Sequence, residues 1–152
     1  MTAIAAPLPG LDIFAGPRRA AAWLATVFTN AGAAIATNRI IQAGTAPQYI
    51  GVGTGTAAAA VTDTALGTEV SAVNGAARVT GTQSRVTTTV TNDTVQVTGT
   101  WTCTSGTPAI TEAGVFDAVT TGNLFIRDVF AAINMSSGMT LALTYGLKLV
   151  PN

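Results

Sequence analysis

The alternation in residues 139–149 constrains this chain more than any other feature. Leu141, Leu143, Tyr145, Leu147 and Leu149 recur at every second position, and Thr140, Ala142, Thr144, Gly146 and Lys148 fill the positions between them. Successive side chains of an extended strand point to opposite faces, so this pattern makes one apolar face and one polar face. Residues 115–118 and 124–133 read as two more strands. Thr120-Thr121-Gly122-Asn123 and residues 134–138 supply the glycine and asparagine that turns with positive φ require. Residues 110–150 are therefore expected to form a meander with one buried face.

The middle of the chain carries the same period. Val86 and Val90 share one face, with Thr87, Thr89 and Thr91 on the other. Val95, Val97, Trp101 and Cys103 then run opposite Gln96, Thr98, Thr100, Thr102 and Thr104. Asn92-Asp93 reads as the two-residue turn of a hairpin between them. Threonine is β-branched and favours strands, so the second face is neutral and rich in hydroxyls. Residues 39–43 and 48–53 are expected to add short strands, and Asp63-Thr64-Ala65-Leu66 one helical turn capped by Asp63 or Thr62. Gly51, Gly53 and Gly55 do not make a phosphate cradle. That loop needs a Gly-Lys-Ser/Thr ending, and Lys148 is the only lysine.

Charge narrows the function classes. Of 152 residues only 9% are charged, against about 25% in an average soluble domain. Seven acids balance seven bases, which gives no electrostatic reason to bind nucleic acid or an anionic membrane. There is no histidine, so the commonest general base and metal ligand is missing. A single cysteine cannot form a disulfide within the chain or a cysteine-based zinc site. No catalytic, cofactor or metal site is expected. Alternation places Glu112 and Asp117 on opposite faces, and Arg127 is expected to form a structural ion pair across the hairpin with Glu112 or Asp117, the Glu112 pair being carried forward. Solubility normally leans on surface charge, so a chain this neutral is expected to be covered by neighbouring protein.

The N-terminal part reads differently. Residues 1–16 hold two prolines and two glycines and show no sustained period. They suggest an extended arm with apolar beads, among them Leu11 and Phe14. Pro17 suits the first position of a helix, and Ala20, Trp23, Leu24, Val27 and Phe28 recur at helical spacing. Asn30-Ala31-Gly32 reads as the stop. Arg18 and Arg19 oppose the helix dipole at that end, so they are expected to meet a partner or solvent. The partner-binding set on this reading is Leu11, Phe14, Arg18, Arg19, Trp23, Leu24, Val27 and Phe28. A twin-arginine start followed by an apolar run also imitates an export signal. Thr26, Thr29, Asn30, Gly32, Thr37 and Asn38 dilute that run below what a membrane span needs, and a docking helix is the reading carried forward.

Five stretches also carry a resemblance: Ile50-Gly-Val-Gly-Thr-Gly-Thr56, Asp63-Thr-Ala-Leu-Gly-Thr-Glu69, ITEAGVFDA from Ile110, LFIRDVF from Leu124 and SSGMTLALTYGL from Ser136. Over residues 49–149 the chain resembles the all-β structural domains of tailed-bacteriophage virion proteins, found in head decoration, tail and fibre proteins. The resemblance implies a jelly-roll-like antiparallel β-sandwich. Residues 1–45 would form an arm and docking helix, and residues 46–152 the sandwich domain. It further implies a non-enzymatic capsid decoration (cement) protein, assembled in the host cytoplasm into the virion. Its partners would be the major capsid protein or another virion structural protein, and copies of itself, as a trimer. A tail, baseplate, neck or fibre-base protein is the alternative. A carbohydrate- or receptor-binding module has less to work with, since Trp101, Tyr49 and Tyr145 fall on strands and Trp23 on the expected helix.

Overall fold

The computed structural model describes residues 27–70 and 77–149. In chain order the elements are β1 (Val27–Phe28), α1 (Asn30–Ile40), β2 (Tyr49–Gly53), β3 (Val79–Thr80), β4 (Thr82–Val86), β5 (Thr94–Thr102), β6 (Ala109–Phe116), β7 (Leu124–Asn134) and β8 (Thr140–Lys148). They form two antiparallel sheets, one ordered β1-β7-β6-β2-β3 and the other β4-β5-β8. The fold is an all-β sandwich with one short helix.

The alternating pattern sets which faces meet. In the three-stranded sheet Val97 lies opposite Tyr145 and Trp101 opposite Leu141. Their side chains enter a core shared with Ile50, Val52, Val115 and Ile126 of the five-stranded sheet. Each such large apolar side chain contributes about 1.5–3 kcal/mol relative to remaining in water. The alternate positions of β5 and β8, with Thr82, Ser84 and Val86 of β4, lie on the other face, and threonine is the commonest residue among them. Cys103 is buried in the same core, and its Sγ donates to the carbonyl of Ser105 at 3.3 Å.

The helix is not where its spacing suggested. Val27 and Phe28, expected on a docking helix over residues 17–30, form an edge strand paired with Arg127 and Ile126 of β7. The helix begins where a stop was expected. Thr29 is its N-cap, accepting from the Gly32 amide at 2.9 Å and donating to the Leu124 carbonyl. Thr and Asn suit a helix start as well as a turn, so the segment Thr29-Asn30-Ala31-Gly32 is ambiguous until β7 fixes it. Ile35 is buried in the core, and the Phe28 and Phe125 rings meet edge to face, 5.2 Å apart at 84°. Part of the segment assigned to an arm and helix over residues 1–45 is thus integral to the sandwich. Leu11, Phe14, Arg18, Arg19, Trp23 and Leu24 lie outside the described residues.

Three shorter readings also change. Residues 39–43 are not a strand, because α1 runs to Ile40 and Arg39 then donates to the Ala43 and Gly44 carbonyls at 3.4 and 2.8 Å. The hairpin turn between β4 and β5 spans residues 87–93, not two residues. Asp93 folds it by accepting from the amides of Thr88, Thr89 and Val90, each at 2.9 Å. Asp63 caps no helical turn; it accepts from the Ala60 amide at 2.8 Å in an irregular loop. Among the described residues no helix is long and apolar enough to cross a membrane.

Candidate functional site

The polar groups of the five-stranded sheet collect around Glu112 on β6. Its carboxylate is fully buried. It accepts from the Gly55 and Gly67 amides at 2.9 Å and from Thr68 at 2.7 Å. Arg127 on β7 adds two bonds, from Nε at 2.9 Å and Nη2 at 2.7 Å. The same guanidinium reaches Asp63 at 2.6 Å through Nη1 and the Ala57 carbonyl at 3.2 Å through Nη2. One glutamate and one arginine thereby fix the loop between β2 and β3 onto the sheet at five points. Gly55 is required there, because a Cβ would come within 2.5 Å of Glu112 Oε1.

The electrostatics follow from that geometry. Burial works against the Glu112 charge, but the three amides and the Arg127 guanidinium outweigh it and hold the carboxyl below its ordinary range. Burial likewise opposes the Arg127 charge, and Asp63 and Glu112 more than compensate, raising its pKa. A second knot lies at the sheet margin. Arg78 makes two hydrogen bonds to Glu69, at 2.7 and 2.9 Å, and its guanidinium carbon stands 3.3 Å from the centre of the Phe116 ring. Both clusters are densely hydrogen-bonded, which suits anchoring, and Glu69 at the margin stays partly exposed.

Asp128 is the exception. It pairs with Ala113, so its side chain points into the core, and it is 1% exposed with Oδ1 unpartnered. Burial pushes its carboxyl up to about 6, partly offset by the Val129 amide. The phenol of buried Tyr145 is pushed well up by burial and by the Asp128 charge. Among the described residues no group of three or more His, Cys, Asp or Glu side chains is arranged to hold a metal ion.

A hydroxyl-rich surface lies on the outer face of β4-β5-β8. Register brings Thr82, Thr98 and Thr144 into one row, Ser84, Gln96 and Gly146 into the next, and Val86, Thr94 and Lys148 into a third. Thr100 and Thr102 continue it beside Ala142 and Thr140. Lys148 is its only charge, and it donates to Thr89. Elsewhere charges are spent inside the molecule: Asp63, Glu69, Arg78, Glu112 and Arg127 in ion pairs, Asp93 and Asp117 in turns, and Arg39 at the end of α1. Arg85 is exposed and makes no hydrogen bond or ion pair among the described residues.

Of the residues singled out in the sequence, the structure brings together Glu112 and Arg127 and takes Val27 and Phe28 into the fold. Asp63, the third member of the cluster, is 49 residues before Glu112 and carried no signal beyond its turn. The buried position of Asp128 was legible only in retrospect, from its alternation with Ile126. Compared with protein-family models, curated proteins and solved structures, the chain finds no match.

Proposed function

We propose that this chain is a non-enzymatic structural protein of a tailed-bacteriophage particle, and within it a head decoration protein. The β-sandwich associates with further copies of itself, and the N-terminal segment meets the capsid shell through Arg18, Arg19, Trp23 and Leu24. The observation that carries this reading is the neutral outer face of β4-β5-β8. It is hydroxyl-rich, and its thirteen positions, of which Thr94 and Gly146 are buried, carry a single lysine. A surface with so little charge is poorly suited to remaining bare in water and well suited to packing against protein. The buried Glu112–Arg127 pair agrees, since it pins the loop between β2 and β3 to the sheet.

Immunogold labelling of intact phage particles with an antibody to this chain tests the proposal. Label distributed over the head is the expected result. Label confined to the tail or baseplate would transfer the protein to the alternative position, and particles without label would remove the virion assignment.

A further inference from the structure

Among the described residues an apolar cleft opens on the sandwich, and two exposed arginines line it. It lies between the end of α1 and the open end of the three-stranded sheet, with a volume of about 500 Å³, within the roughly 300–1,000 Å³ usual for binding clefts. Val95, Leu147 and Leu149 contribute its walls, together with Ile40. Ile40 is 82% exposed and Leu149 64%, so the described residues leave this apolar surface open. Arg39 and Arg85 also line the cleft, both exposed, and no carboxylate does. Arg39 is partly engaged by the carbonyls that end α1, whereas Arg85 has no partner among the described residues. An apolar cavity beside two unneutralised guanidiniums fits an apolar segment bearing one carboxylate.

We infer that this cleft receives the N-terminal segment of a second copy, with Leu11, Ile13 and Phe14 in the apolar part and Asp12 on Arg85 and Arg39. Asp12 is the only acid in residues 1–26, and it stands inside the sequence Leu-Asp-Ile-Phe. Val27 pairs with Arg127 and Phe28 with Ile126, so the chain arrives from the Asp128 side of β7. The cleft lies at the opposite side, where Phe125 forms part of its wall. Twelve residues separate Phe14 from Val27, and a fully extended chain of that length spans about 45 Å, enough to cross to an adjoining molecule. Segment and cleft are different surfaces, so the contact closes either by reciprocal exchange in a two-fold dimer or head-to-tail in a ring. The inference rests on the self-association proposed above and names its contact.

Disulfide trapping in the full-length protein tests it. Asp12→Cys and Arg85→Cys variants, mixed in equal amounts and mildly oxidised, are expected to give a covalent dimer absent from either variant alone; the single variants control for buried Cys103. Asp12→Arg is expected to weaken self-association at least tenfold in sedimentation, and adding Arg85→Glu to restore it. No mixed disulfide overturns the inference, as does a double Asp12→Cys/Arg85→Cys chain that links only to itself. If the wild type assembles and labels phage heads but the mixed disulfide is missing, the contact is wrong and the virion reading survives. If the disulfide forms and no particle is labelled, the contact survives and the virion reading fails.

Discussion

Glu112 and Asp128 are carboxylates on neighbouring strands with opposite surroundings, and the difference is measurable. Glu112 faces the loop between β2 and β3 and is fully hydrogen-bonded, whereas Asp128 faces the core with an orphan oxygen. Removing one partner of a buried pair strands the other charge, which typically costs about 3–5 kcal/mol. Arg127→Leu should therefore lower the stability from urea unfolding by about that amount. It should also release the Gly55, Gly67 and Thr68 amides to faster hydrogen exchange. Asp128 has the opposite sign. Its folded pKa of about 6 lies above the unfolded value of 3.8. Its contribution is thus fully present below about pH 4 and lost as pH rises through 6. The two-unit gap corresponds to about 3 kcal/mol. Asp128→Asn should raise stability at pH 7.5 and flatten the decline between pH 4 and 7; an unchanged pH profile would show that the carboxylate is not desolvated. Glu112 and Asp63, held below the ordinary range, lose their contributions as pH falls through their folded values.

At the scale of elements, the junction of β1 and α1 depends on two small residues. Thr29 caps the helix and ties it to the Leu124 carbonyl, and replacing a helix N-cap by alanine costs about 0.5–2 kcal/mol. Gly32 lies so close to the Phe125 carbonyl that any Cβ would collide with backbone, which cannot move aside as a side chain can. Gly32→Ala should therefore destabilise more than Thr29→Ala, by about 1–3 kcal/mol from overpacking alone. Thermal unfolding of the two variants side by side checks that order, and equal melting temperatures would mean the helix lifts freely from β7. The long turn between β4 and β5 makes a related point about periodicity. Thr87, Thr89 and Thr91 alternate as a strand would, yet Asp93 captures three amides and takes these residues out of the ladder.

For the molecule as a whole, residues 27–40 belong to the folded unit. They add an edge strand, a capped helix, the buried Ile35 and the Phe28–Phe125 contact. Deleting residues 1–40 should therefore expose Phe125 and lower the melting temperature by several degrees or more, since 1 kcal/mol shifts a domain of this size by about 2–8 °C. A truncated chain melting like the full one would show that the sandwich does not need this segment. The weak charge of the surface is also a property of the whole. It follows from few charged residues being present and, among the described residues, from five of them standing in ion pairs.

What the sequence determined by itself is the alternation of β5 and β8, and with it the buried Trp101, Val97 and Tyr145 and the neutral face opposite. A period of two is written residue by residue, so it needs no partner to be read. The Glu112–Arg127 pair was legible for a similar reason, since adjacent strands of a hairpin bring their residues side by side. Only the tertiary structure decided that Asp63 joins that pair and that Val27 and Phe28 form a strand. It alone fixed where the helix begins and placed Arg85 beside an apolar cleft. Each of these depends on a contact between residues tens of positions apart, and no local pattern encodes such a contact.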